Sequence, residues 1–317
     1  MSAISDVLVI GGGPAGLSTA LTLARQLHTV TVFDSKTYRN DAAKYQHMVL
    51  AWDHTEPSLY RAAARENILA QYDTVRFHDT TIETVKKTDS GYFQAVNSDG
   101  TVWIGRKLVL ASGVQDIFPD IAGFEQCWGT GIFHCLFCKG YEERGSSSSG
   151  ILAVDALASV PHAMHVGRHA LQLSSSLTFY TNGSTELAKK LETALTSTPR
   201  MSVDSREIKK LVKRHSAAEV NIYFVDGGEK TEAFLGAVPK LKQRAPFAMQ
   251  LGLEVNPSGD VVAKPPFQQT TVKGVFVAGD CGSAMKFAAN ALSTGSAVGS
   301  GVSAQILADK FGHNPIF

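Results

Sequence analysis

The run Val7-Leu-Val-Ile-Gly-Gly-Gly-Pro-Ala-Gly16 restricts the fold more than any other stretch of the chain. Val7 to Ile10 read as a buried strand, and Gly11, Gly13 and Gly16 occupy the three glycine places of G-x-G-x-x-G. There the turn must be tight, the backbone must approach a pyrophosphate, and the next helix must pack close. Pro14 suits the first turn of that helix, whose free N–H groups face an anion. A second strand over Val30 to Phe33 ends at Asp34, placed to accept a hydrogen bond from a ribose hydroxyl. Residues 6 to 34 therefore predict one βαβ unit that holds a dinucleotide.

Similar signals recur near the other end. Lys107 to Gly113 reads as a strand ending in the small residues Ala111-Ser-Gly113, and Gly274 to Asp280 as a strand ending in Gly279-Asp280. A helix rich in Ala, Ser and Gly is expected from about 284 to 307. The middle has a different character. The serine run 146 to 150 reads as a flexible linker, followed by a strand over Ile151 to Val154, a helix from Pro161 to Leu173 and a strand over Leu177 to Tyr180. The predicted fold class is α/β, with two Rossmann-like three-layer domains. Residues 1–113 and 245–317 form a discontinuous dinucleotide domain, and residues 114–244 are inserted.

A length of 317 residues suits two cores. The formal net charge of +1 and the lack of a Lys/Arg run argue against nucleic acid as a partner. No apolar stretch approaches the roughly 20 residues a membrane span needs, and residues 1 to 5 lack the pattern of a secretory signal, so the expected location is the cytoplasm. The 4 cysteines are too few for a disulfide scaffold.

Only Cys135 and Cys138 are close in sequence, and their C-x-x-C spacing suits a reversible disulfide that carries an electron pair. One thiolate attacks and the second sulfur resolves; the spacing is expected at the start of a helix, where the dipole lowers a thiol pKa. His134 is the first candidate for proton acceptor, ahead of Glu142 and Glu143. A zinc reading would combine the two cysteines with two of His162, His165 and His169, which lie at helical spacing. The gap from Cys138 to His165 is far longer than in a zinc finger, so no metal is expected and the histidines are read as packing or pocket-lining residues. Cys127 and Cys281 are read as small buried residues.

Taken together, the blocks GGGPAG, CLFCKGYEERG and VFVAGDCGSAMKFAANALSTG resemble the low-molecular-weight thioredoxin-reductase-like flavoproteins. Within that group the chain is most similar to fungal FAD-dependent dithiol oxidases that close the disulfide of gliotoxin-type epipolythiodioxopiperazines. The resemblance implies FAD as cofactor, held by Gly11, Gly13, Pro14, Ala15, Gly16, Asp34, Ser35, Ala111, Gly113, Gly279 and Asp280. It implies Lys286, Phe287 and Ala288 beside the flavin ring or its phosphates, and Tyr38 to Asn40 with His47 to His54 lining the flavin and substrate side. It also implies a small-molecule dithiol and O2 as partners, H2O2 as by-product, a homodimer, and Cys138 as the sulfur nearer the flavin.

The departures from an NADPH-driven reductase carry weight. Such a reductase has a second glycine turn in its middle domain, whereas here Asp155-Ala-Leu-Ala-Ser-Val-Pro161 follows the strand with no glycine. Lys139 stands where the reductases commonly have Asp after the second cysteine. The inserted domain is thus a degenerate nicotinamide-type domain, and electrons are expected to enter from a thiol. The alternatives are an NADPH-dependent thioredoxin or disulfide reductase and, from another class, a flavin-holding redox sensor without turnover.

Overall fold

The structure, a computed structural model, describes residues 4–195, 198–215 and 217–317. The chain divides into two compact units, one of Met1–Gln115 with Leu241–Phe317 and one of Asp116–Lys240.

The first unit is built on β1 (Ser5–Ile10), followed by α1 (Pro14–Ala24), β2 (Val30–Phe33), α2 (Pro57–Gln71) and β3 (Val75–His78). A hairpin, β4 (Ile82–Lys87) and β5 (Phe93–Asn97), then leads into β6 (Val102–Leu110). The parallel core runs β3, β2, β1, β6 and then the strand Val275–Val277, with Val9 opposite both Val32 and Val109. The period of two along β1 decides its packing. Val7 and Val9 join the helix-side core with Leu17, Leu23 and Val298, while Leu8 and Ile10 join Phe33, Phe93 and Leu108 on the other face. The antiparallel strands β4 and β5 continue the sheet from β6.

The second unit repeats this layering. Five parallel strands lie in the order Met201–Asp204, Leu177–Tyr180, Ser149–Leu152, Leu235–Gly236, Ile132–Phe133. The helices Val160–Leu173 and Thr185–Ala194 share one core with this sheet, and the antiparallel strands Ile208–Lys213, Val220–Phe224 and Glu229–Glu232 cover its other face. The architecture is α/β with two Rossmann-like three-layer units.

Several boundaries differ from expectation; the strands expected over 107–113 and 274–280 span Val102–Leu110 and Val275–Val277. The serine run is no flexible linker: Ser149 is fully buried at the start of a strand, its hydroxyl 2.7 Å from that of Ser174, and Ser146 N–H donates to Leu173 O. Packing of small hydroxyls outweighs linker-like composition here, and the strand spans Ser149–Leu152 instead of 151–154. The C-terminal helix spans Ala288–Phe311 rather than starting at 284. Lys286 is the physical reason: its ammonium reaches Asp260 Oδ1 at 2.5 Å, Asp280 O at 2.8 Å and Ser283 O at 2.5 Å, which holds the preceding residues out of the helix.

The C-terminal helix lies so close to α1 that a Cβ at Gly295 would fall 2.4 Å from Ala15 O. Gly295→Val is expected to destabilise the protein by about 2–3 kcal/mol, the cost of overpacking a closed interface, read as a lowered midpoint in urea.

Candidate active site

In the first unit the carboxyl ends of the parallel strands bring the glycine turn, Asp34, Ala111 to Gly113 and Gly279-Asp280 to one edge, the edge at which open α/β sheets take ligands. Gly11 adopts φ +123°, and a Cβ there would meet Ala111 O at 2.2 Å, so the turn closes directly on the end of β6. Gly13 differs: a Cβ there would meet nothing within 4 Å. Packing does not require that glycine, whereas a pyrophosphate approaching the backbone does. Pro14 begins α1 with no side-chain cap, and Ala15 and Gly16 lie in its buried first turn. These features fit a dinucleotide.

Asp34 is 5% exposed and already engaged. Its Oδ1 accepts from Lys36 N–H at 3.0 Å and its Oδ2 from Tyr38 hydroxyl at 2.6 Å, with Lys36 Nζ at 3.2 Å. Burial and then this hydrogen bond push the Tyr38 phenol well above its ordinary value. The Arg61 guanidinium lies 3.6 Å from the centre of the Tyr38 ring and donates to Asn40 and Asp41. Ser35, next to Asp34, is exposed. Asp280 pairs with Arg39 at 3.3 Å, and Gly279 N–H donates to Thr294 Oγ1.

Lys286, expected beside the flavin or its phosphates, has its ammonium donors committed to Asp260 and two carbonyls, which fixes the helix entrance. Phe287 is the N-cap residue of that helix and Ala288 its first residue, with no side-chain cap on the end. Sequence reasoning missed Lys286–Asp260, Arg61 on Tyr38 and Arg39–Asp280. No local spacing signals such pairs, whose members stand up to 241 positions apart. In the same unit the ring of His54 stacks on Tyr45 at 4.2 Å and lies 5.3 Å from that of His47.

In the second unit Cys135 and Cys138 are joined as a disulfide. The pair does not open a helix. It lies in a turn between the strand Ile132–Phe133 and a short 3-10 turn over Tyr141–Glu143, so the pair has no helix of its own to supply a dipole. Only one helix-like bond forms, Lys139 N–H to Cys135 O at 3.0 Å. Local polarity comes instead from Cys138 N–H, which donates to Cys135 Sγ at 3.1 Å and favours negative charge on that sulfur. His134 stacks on Trp128 at 5.6 Å. Burial lowers the pKa of Lys139, whose ammonium donates to Gly129 O, and burial raises that of Glu143.

The connection from strand Ser149–Leu152 to helix Val160–Leu173 stands where a second dinucleotide turn would lie. It is a 3-10 turn over Asp155–Leu157, with Asp155 in the left-handed region at φ +49°. Leu157 is 3% exposed and packs into the unit's core. The connection thus carries an acid and a core-packed leucine where a dinucleotide turn would carry glycines. Asp155 has Lys240 Nζ 3.7 Å away and one buried oxygen without a hydrogen-bond partner.

Cys127 and Cys281 are buried, and desolvation pushes the Cys127 thiol up and the Cys281 thiol up to about 11. Iodoacetamide added to the reduced, folded protein is expected to modify Cys135 and Cys138 and to spare these two until the chain is unfolded, as read by peptide mass spectrometry. Among the described residues no helix is long and apolar enough to cross a membrane.

Residues 5–152 match the pyridine nucleotide-disulphide oxidoreductase family. The chain is 45% identical over 317 residues to thioredoxin reductase tcpT of Claviceps purpurea, covering 100% of this chain and 98% of that one. It is 38% identical over 310 residues to thioredoxin reductase sirT of Leptosphaeria maculans, covering 96% and 95%. Among solved structures, an oxidoreductase from Agrobacterium tumefaciens superposes with a TM-score of 0.85 at 30% identity, covering 96% of this chain and 99% of that one.

Proposed function

Because this chain belongs to the thioredoxin reductase family of FAD-dependent disulphide oxidoreductases, we propose that it oxidises a small-molecule dithiol to a disulfide with O2 as the acceptor. The observation that carries this reading is the glycine-free, acid-bearing turn at Asp155 to Leu157, which offers no glycine cradle for NADPH in the second unit. Electrons then enter through the cysteine pair. Bound FAD supplies the two-electron acceptor that lets the pair be reoxidised, with H2O2 as the by-product.

The protein's own part is thiol exchange. His134 takes the proton of an incoming substrate thiol, and the thiolate attacks Cys135 Sγ, breaking its bond to Cys138, which leaves as a thiolate. The second substrate thiol gives its proton to the Cys138 thiolate, and its sulfur attacks the substrate sulfur of the mixed disulfide. The product disulfide forms, Cys135 leaves as a thiolate, and the Cys138 N–H on its sulfur stabilises that charge. The electron pair lost by the substrate now resides on two reduced cysteines. Asp34, the glycine turn, Ala111 to Gly113 and Gly279-Asp280 hold the cofactor, with Tyr38 keeping the Asp34 carboxylate in place. The resemblance to gliotoxin-type oxidases supports a cyclic epidithiol product, a homodimer and a cytoplasmic setting.

The names of the fungal relatives favour a second reading, NADPH-dependent reduction of thioredoxin. Anaerobic titration separates the two. A small dithiol is expected to bleach the flavin absorbance while NADPH leaves it unchanged; bleaching by an equivalent of NADPH would establish the reductase instead. Cys138→Ser is expected to reduce dithiol-dependent oxygen uptake to background in an oxygen electrode, and uptake at the wild-type rate would remove the pair from the mechanism.

A further inference from the structure

The dithiol chemistry makes no use of the histidines on the helix Val160–Leu173. His165 and His169 stand one turn apart, which places their side chains on the same face. Their ring centroids are 4.9 Å apart, with planes at 86°. His169 also meets the ring of Phe137 edge-on at 4.9 Å. Phe137 lies between the two cysteines and is 64% exposed. One turn further along the helix, Leu173 packs against Gly140, so this helix face runs beside the turn that carries the disulfide. His162 is set apart by its hydrogen bond to Ser159 Oγ at 2.8 Å.

We propose that His165 and His169 form a chelating site for a divalent transition ion of borderline softness, zinc or nickel, beside the disulfide turn. Two imidazole nitrogens on a rigid helix suit such ions, while magnesium and calcium require oxygen ligands that this pair does not offer. The cysteines take no part, because their sulfurs are bonded to each other. Among the described residues, no group of three or more candidate ligands includes this pair, so water completes the coordination sphere. Such a site is weaker than a closed structural zinc centre and exchanges its ion readily. An ion held there engages His169, whose ring meets Phe137 of the disulfide turn.

The test is calorimetric titration of the oxidised, FAD-loaded protein with zinc sulfate in a buffer free of thiols and chelators. Wild type is expected to bind with micromolar affinity, and either His165→Gln or His169→Gln to remove one equivalent or weaken its binding by about tenfold or more. Zinc is also expected to protect His165 and His169 of the wild-type protein from diethylpyrocarbonate, a readout that needs no variant. An unchanged stoichiometry and affinity in both variants, or modification of the two histidines at the same rate with and without zinc, would overturn the proposal.

Discussion

The close approach of α1 to the C-terminal helix governs the first unit. Gly295 and Gly299 present bare backbone to Ala15, Ser18, Thr19 and Thr22, and Thr19 hydroxyl donates to Gly295 O across the seam. Contact at this range fixes where α1 begins, and hence where the turn from Gly11 to Gly13 sits relative to the strand ends. Side chains of ordinary size would separate the helices and move the turn away from Ala111. A helix composed largely of Ala, Ser and Gly, which contributes little apolar area of its own, is thus a requirement of the binding edge.

Much of this was legible in the sequence because it is local. The period of two in Val7 to Ile10, the glycine spacing after it and the acid closing the next strand each announce one element, and together they define a βαβ unit. The missing glycine between residues 155 and 161 was equally visible, and the structure gives it physical content in a left-handed Asp155 and a buried Leu157. What stayed hidden depends on partners distant in the chain. The sequence around Lys286 gives no sign of Asp260, which the fold brings to its ammonium from 26 positions away. Ser146 to Gly150 reads as a linker until Ser174 and Leu173 satisfy its polar groups. The C-x-x-C spacing is compatible with a helix or a turn, and the residues after it settle on a turn with Gly140 tight against Leu136 O.

The two units divide the chemistry by their local electrostatics. At the dinucleotide edge, charge is heavily cross-linked: Asp34 with Lys36 and Tyr38, Asp79 with Lys36 and Arg65, Asp280 with Arg39. Such a lattice orients its carboxylates before any ligand arrives, which lowers the ordering cost of binding. Around the disulfide the pattern is sparser. The principal polar contact on sulfur is one backbone N–H, and the lysine beside the pair is drawn away to Gly129 O. Under the proposed exchange chemistry that single donor sits on the sulfur that is attacked and then leaves.

The burial of Cys127 and Cys281 bears on durability. Thiolates are what peroxide oxidises to sulfenic and then irreversible acids, and both residues are held protonated in sealed apolar surroundings. Under the proposed oxidase reading, which releases peroxide with each cycle, the recyclable couple is the cysteine pair left outside that shelter.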